Sequence, residues 1–245
     1  MWLPWYLIWL ARAARSGQPL MEQLNDPDTF TALVHVPARL ALTPAPLLLY
    51  LHGAGESGND VRGLISEGAT GTPPVELERG TALPVLRNQF VTVSPQTSHG
   101  WDADEIVRFV SYLLSPRSGL HLDRKRLYVT GHSMGGGGAL AAAATGRFAA
   151  VVPVAPAVSA PPAALLGVPL WAFHGRNDVV VPSEVSETLV VQLRKLGANA
   201  SDARLTLYED APAPSGYPSY LGHASTVPAY ATAELWRWLL EQRRP

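Results

Sequence analysis

The chain has 245 residues, 47% hydrophobic and 16% charged, which supplies a sizeable core and argues against disorder. Lys and Arg number 19 against 20 Asp and Glu, a formal net charge of -1, so nothing provides the basic surface that a nucleic-acid partner requires. Cysteine is absent, which excludes disulfides and thiolate metal sites.

Residues Trp2 to Ala11 form an apolar run followed by Arg12 and Arg15. A bilayer span needs about 20 apolar residues, and a signal peptide would carry its positive charge before the apolar run rather than after it. We expect residues 1–20 to be an apolar extension, either packed as a helix or dispensable, in preference to a membrane-surface anchor. Met21 is an alternative start, and residues 21–245 are expected to make one domain.

Phe30 to Val36 alternates as a strand and stops at Pro37. Leu47 to Leu51 is continuously apolar, the pattern of a strand buried on both faces of a parallel sheet. His52 to Gly58 follows it as a Gly-rich loop. Residues 59 to 88 read as an irregular excursion with a short helix. Phe90 to Ser94 is the next strand, and Asp102 opens a helix running to about Leu114. Leu127 to Thr130 is another strand, with an Ala-rich helix over Ala139 to Thr145. Strands at Phe148 to Val154 and Val168 to Phe173 follow, then a helix from Ser183 to Leu196, a strand at Leu205 to Tyr208 and a last helix from Pro228 to Gln242. Strands alternating with helices imply an α/β domain with a mainly parallel sheet. In such sheets functional residues gather beyond the carboxyl ends of the strands.

Between a strand and a helix stands Gly131-His132-Ser133-Met134-Gly135. Gly-x-Ser-x-Gly in that context is a nucleophile elbow, a strained turn that exposes the serine. A serine hydroxyl needs a base within hydrogen-bond reach, and the base needs an orienting carboxylate. Of seven histidines, His223, between the last strand and the last helix, is the best base. His132 is badly placed to take the Ser133 proton, and His174 reads as a satisfied, partly buried side chain. Asp178, just after a strand, is the expected acid, with Asp210 and Glu184 as rivals. The order Ser133, Asp178, His223 is that of an α/β-hydrolase triad. The developing oxyanion needs fixed donors. We expect the backbone N–H groups of Met134, at a helix N-terminus, and of Ala54, with Gly55 as the alternative.

The stretches LHGAGESGND (51–60), SPQ with Trp101, RLYVTGHSMGG (126–136), WAFHGRNDVVVP (171–182) and ELWRWLLEQRR (234–244) resemble the small lidless α/β-hydrolases of the phospholipase/carboxylesterase-like, "predicted peptidase" group. That group is similar to feruloyl esterases and polyhydroxybutyrate depolymerases. The resemblance covers roughly residues 30 to 244. It implies Ser133, Asp178 and His223 as the triad and sets Trp101 beside the active site. The family often carries a Trp shortly after the catalytic His, where this chain has Ala224-Ser225-Thr226-Val227.

The four glycines Gly135 to Gly138 lack the Gly-Lys-Ser/Thr of a phosphate loop. No zinc-ligand spacing and no dinucleotide fingerprint occurs, so no cofactor or metal is expected. Only Ala155 to Gly167 is available for a cap over the site. The expectation is therefore an uncapped α/β-hydrolase fold acting as a serine esterase on short-chain or soluble small-molecule esters. Residues 68–88 and 211–220 would wall the cleft, and Trp101, Tyr217 and Tyr220 are candidate substrate contacts. The alternatives are a peptidase or acyltransferase on the same residues, and a non-catalytic binding protein of the same fold. Membrane association is not favoured, and oligomeric state and compartment are left open.

Overall fold

The computed structural model describes residues 20–26, 28–40 and 43–245. Apart from Leu20, the apolar extension expected at 1–20 lies outside the described residues. Eight strands form one sheet in the order β1-β2-β4-β3-β5-β6-β7-β8. Strands β1 (Glu22–Asn25) and β2 (Thr31–His35) pair antiparallel, and β2 runs antiparallel to β4 (Val91–Pro95). The pairs from β4 through β3 (Ala45–Leu51), β5 (Leu122–His132), β6 (Ala150–Val154), β7 (Leu170–Gly175) and β8 (Ala203–Tyr208) are all parallel.

The run at β3 is apolar throughout because both of its faces are covered. Leu47, Leu49 and Leu51 join one core cluster with Phe109, Leu140 and Leu193. These come from helices α3 (Ala103–Leu113), α4 (Met134–Ala143) and α5 (Glu184–Lys195), where α1 (Pro73–Arg79) and α2 (Pro84–Gln89) precede them in the chain. Leu48 and Tyr50 point the other way, as the two-residue period of a strand requires. They join Leu77, Leu86 and Trp236 from α1, α2 and the last helix. Asp102 caps α3 by accepting from Glu105 N at 2.9 Å, as its position before the helix predicts.

Two expectations are corrected, and one strand was not expected. The excursion at 59–88 holds two helices, α1 and α2, each opening on a proline at its first turn, a position that needs no N–H donor. The expected last helix is two, α6 (Thr226–Tyr230) and α7 (Ala233–Glu241). Thr232 between them is extended at φ -78°, ψ 103° and precedes the first turn of α7. The first strand, β1, carries no apolar alternation in Glu22-Gln23-Leu24-Asn25 because it is an edge strand, paired with β2 alone. Among the described residues, no helix is long and apolar enough to cross a membrane.

Helix α4 meets the sheet almost without side chains between them. A Cβ on Gly135 would run into the carbonyl oxygens of Leu51 and His52, and one on Gly131 into Gly135 O and Leu51 O. Replacing Gly135 by Ala should therefore cost at least about 3 kcal/mol, at the upper end of overpacking, because backbone must move. Gly55→Ala, which meets nothing within 4 Å, should change stability by less than about 0.5 kcal/mol. Urea unfolding of the two variants checks the contrast; equal losses would contradict the close-packing account.

Candidate active site

The strand-to-helix turn puts Ser133 at φ 55°, ψ -117°, outside the regions that L-residues favour. Backbone strain of this kind costs about 1–3 kcal/mol and persists only where neighbours enforce it. Here Ser133 N donates to Val154 O at 3.0 Å, and Ser133 O accepts from Ala157 N at 2.9 Å and Gly137 N at 3.1 Å. Ala155, between those partners, is itself at φ 43°. The nucleophile candidate is thus clamped to the end of β6.

From that point a hydrogen-bonded chain runs inward. Ser133 Oγ lies 3.0 Å from His223 Nε2. His223 Nδ1 lies 2.8 Å from Asp178 Oδ2. The other carboxylate oxygen of Asp178 accepts from Val180 N at 2.8 Å and Val181 N at 2.9 Å. The structure therefore brings together Ser133, His223 and Asp178, which are far apart in sequence. It does not bring the rival acids to His223: Glu184 opens α5, and Asp210 is an exposed turn residue.

The electrostatics fit one protonation pattern. Burial alone would raise the Asp178 pKa. Hydrogen bonds from His174, His223 and Val181 N, together with the His223 charge, reverse this and hold it well below the usual carboxylate range. Asp178 is therefore an anion, and His223 donates to it from Nδ1. Nε2 is then bare and accepts the Ser133 hydroxyl proton. His174 is fully buried beneath the pair, with Nε2 3.0 Å from Val181 O and 3.4 Å from Asp178 Oδ2. Its Nδ1 lies 2.8 Å from Ser186 Oγ.

The turn after β3 is a short 3-10 helix, Ala54–Glu56. Ala54 and Met134 are the first residues of their helical turns, so neither amide has an acceptor within its own helix. The turn is pinned from the β4 side. Gln96 Nε2 donates to Glu56 O at 2.9 Å, Thr97 N donates to His52 Nε2 at 3.1 Å, and Gly58 N donates to Thr97 O at 3.2 Å. The buried His52 ring is neutral, its pKa lowered to about 4 by burial. Trp101 Nε1 donates to His52 O at 3.0 Å, and its ring meets His52 edge-on at 4.9 Å. The indole thus backs the turn of Ala54 and also fills the space beside Gly138. Tyr217 and Tyr220 are stacked at 5.6 Å and half exposed, on the loop that leads to His223. Tyr217 lies against Gly68, and Thr70 bonds both Ser215 N and the Thr226 hydroxyl, so the two expected wall segments do meet. Four residues after His223, Val227 packs against Gly71.

Four contributors escaped the sequence reading. Asn177 clamps the base loop, donating to Ala211 O and accepting from Ala211 N, both at 2.9 Å. Gln96 holds the oxyanion turn. Glu56 lies over Gly53 with its carboxyl pKa raised by burial. His132 donates from Nε2 to His223 O at 2.7 Å. Asn177 and Gln96 sat inside the quoted motifs, but amides signal no chemistry by spacing. Among the described residues no group of His, Asp and Glu could hold a metal.

Sheet order and strand sense are those of the α/β-hydrolase fold, and the likeness to solved structures agrees. A thermostable esterase is 26% identical with a TM-score of 0.73 over 92% of this chain; the chain spans 63% of that esterase's length. A putative dienelactone hydrolase from Klebsiella pneumoniae matches at TM-score 0.63 and 14% identity, covering 92% of this chain and all of that one (100%). Esterase 2 from Thermogutta terrifontis, solved as its cyclosarin phosphonyl adduct, matches at 0.61 and 14%, covering 94% and 97%. A family model described as PETase, PET hydrolase-like, matches residues 95–195, a span that includes Ser133 and Asp178. No curated protein sequence matches. The chain is an α/β-hydrolase by fold. Within that class its likenesses fall in the group of esterases and dienelactone hydrolase-like proteins.

The buried histidines make stability pH-dependent. His52 and His132 both have pKa values lowered to about 4, from 6.5. Between those values the unfolded chain binds more protons than the folded one, so stability falls as pH drops through that window, by up to roughly 3 kcal/mol for each histidine. Asp178, depressed in the folded state, adds a further loss only below its unfolded pKa of about 3.9. The melting temperature should be level near pH 7.5 and decline steeply from pH 6.5 to 4.5. A flat profile across that interval would show that the two rings are not held neutral.

Proposed function

We propose that this chain is a serine carboxylic-ester hydrolase that works through an acyl-enzyme on short-chain or soluble esters. The observation that carries the reading is the unbroken chain from Ser133 Oγ through His223 to the Asp178 carboxylate, at 3.0 and 2.8 Å. The esterase likenesses support it.

In this reading Ser133 Oγ attacks the ester carbonyl carbon while His223 Nε2 takes its proton. Asp178 stays ionised and stabilises the imidazolium that forms. The carbonyl oxygen becomes an oxyanion facing the amides of Ala54 and Met134, the latter at the positive end of the α4 dipole. Collapse breaks the bond to the alcohol, which leaves with the proton from His223. Water then repeats the sequence against the acyl-Ser133 ester, with His223 again accepting and returning one proton, to release the acid and free serine. Preference for small esters rests on the open cleft. Residues 155–167, where a cap would insert, hold only a single 3-10 turn, Pro162–Leu165. Tyr217 and Tyr220 are the apolar wall nearest to the base loop, while Trp101 acts through the oxyanion turn behind it.

On a chain-length series of nitrophenyl esters, activity should be highest for the short acyl chains. Ser133→Ala should lower kcat/KM by at least about 10³-fold, and Asp178→Asn by about 10⁴-fold, because His223 would then adopt the wrong tautomer. An unchanged rate in Ser133→Ala would overturn the proposal, and faster turnover of aminoacyl amides than of esters would redirect it to a peptidase. Because the base must be neutral to accept the proton, kcat/KM should fall at acid pH as the base becomes protonated. A rate independent of pH across the acid range in which the protein stays folded would remove His223 from the role of base.

A further inference from the structure

We infer that His132, the variable residue of the elbow, is a positioning residue that locks the base-bearing loop to the nucleophile through its Nε2–H bond to the carbonyl of His223, while its ring packs beside the oxyanion turn. The inference rests on the esterase reading above, since it assigns the register of those three segments to one side chain.

His132 touches all three segments. Its backbone is the last residue of β5 and adjoins Ser133. Its Nε2 lies 2.7 Å from His223 O, and the two rings stand 4.7 Å apart, tilted at 50°. Its Nδ1 lies 3.3 Å from where a Cβ on Gly53 would sit, so the imidazole fills the gap beside the oxyanion turn. A side chain at position 53 would press on that ring and on the Glu56 carboxylate. The short bond to a carbonyl fixes the tautomer: Nε2 carries the hydrogen and Nδ1 is bare.

The base loop needs such a tie. Between β8 and α6 the chain has no regular structure at 211–214 and only turns after that. Its other bonds hold it at Ala211, Ser215 and Leu221, by Asn177, Thr70 and Val179 N. The bond from His132 acts on the peptide of His223 itself, one residue from the nucleophile. A positional error of about 1 Å in a catalytic group can cost about 100-fold in rate.

Only a neutral ring can serve here. His223 becomes a cation in each half-reaction, and a second cation 4.7 Å away would oppose it. Burial and the His223 charge both lower the His132 pKa, to about 4, although Asp178 and the bond to His223 O act the other way. Glu56, from the oxyanion turn, is the other titratable group beside Gly53, and His174 adds a weaker repulsion. A tryptophan or phenylalanine would fill the space but give no bond to the right acceptor. An asparagine would place its amide near the Nδ1 position, too short to reach His223 O.

The test compares His132→Gln, whose amide nitrogen can occupy the Nε2 position, with His132→Leu, which has similar volume and no donor. Three quantities are measured: kcat and KM on a nitrophenyl ester, the rate of Ser133 labelling by a fluorophosphonate probe, and the melting temperature. His132→Leu should lose about 100-fold in kcat with KM changed less than threefold, and labelling should slow in proportion. His132→Gln should recover to within about fivefold of the parent. If His132→Leu fails to fold, His132→Asn replaces it, with the same expected loss. Equal rates in the two variants, whether both normal or both impaired, would overturn the inference, as would normal labelling in the variant that lacks the donor. Failure of the parent protein itself to label would instead sink the serine-hydrolase reading, so the two failures are distinguishable.

Discussion

Everything at this site depends on how closely helix α4 approaches the end of strand β3. The carbonyls of Leu51 and His52 lie where a Cβ on Gly135 would be, and Gly131 and Gly135 leave no room for side chains between them. That approach brings the N-terminus of α4 against the turn that carries Ala54. It also forces the positive φ at Ser133, because the chain must reverse between a strand and a helix with almost no spacer. The strain there is a small but real fraction of a folding free energy of about 5–15 kcal/mol. The flanking bonds to Val154 and Ala157 hold it in place.

The second constraint is electrostatic. Several titratable side chains are buried around Ser133, and their charges are set by their partners. His52 and His132 are held neutral, chiefly by burial. Asp178 stays ionised, and each of its oxygens has partners: two amides on one, His223 and His174 on the other. A buried carboxylate without those bonds would be neutral instead. The neutral histidines thus act as hydrogen-bonding rings of defined tautomer. His52 ties the turn of Ala54 to Thr97, and His132 ties the elbow to the loop of His223.

How much of this could be read from sequence follows from the same physics. The parallel strands were legible because two-sided burial makes them continuously apolar, as at Leu47 to Leu51. The elbow was legible because steric closeness demands glycine at 131 and 135, and glycine at fixed spacing is visible. The candidate chain Ser133, Asp178, His223 was legible because each lies just beyond a strand. Three features were not. The helices at 73–79 and 84–89 begin on prolines, which read as breakers unless the first-turn exception is applied. The edge strand at 22–25 presents only Leu24 as an apolar contact to the core, too little to leave a pattern. The bonds of His132, Asn177 and Gln96 depend on loop geometry that no periodicity encodes, so His132 was judged only on whether it could take a proton from its neighbour.

That oversight points to a general property of the arrangement. Ser133 is set by regular structure, with a strand, a helix and two forced glycines allowing one geometry. His223 is set by a loop, whose path from Tyr208 to Thr226 is irregular and whose tip exposes Tyr217, Tyr220 and Leu221. Such a loop can change length and surface freely only if the residue that matters is anchored independently of the tip. Here the anchors act at Ala211 through Asn177, at Ser215 through Thr70, and at 221–223 through His132 with Val179. Asn177 and His132 belong to the strand-end segments that carry the other two members of the chain, since Asn177 precedes Asp178 and His132 precedes Ser133. The position of His223 relative to Ser133 is thus set from the strand ends, while the tip between Ser215 and Leu221 stays exposed.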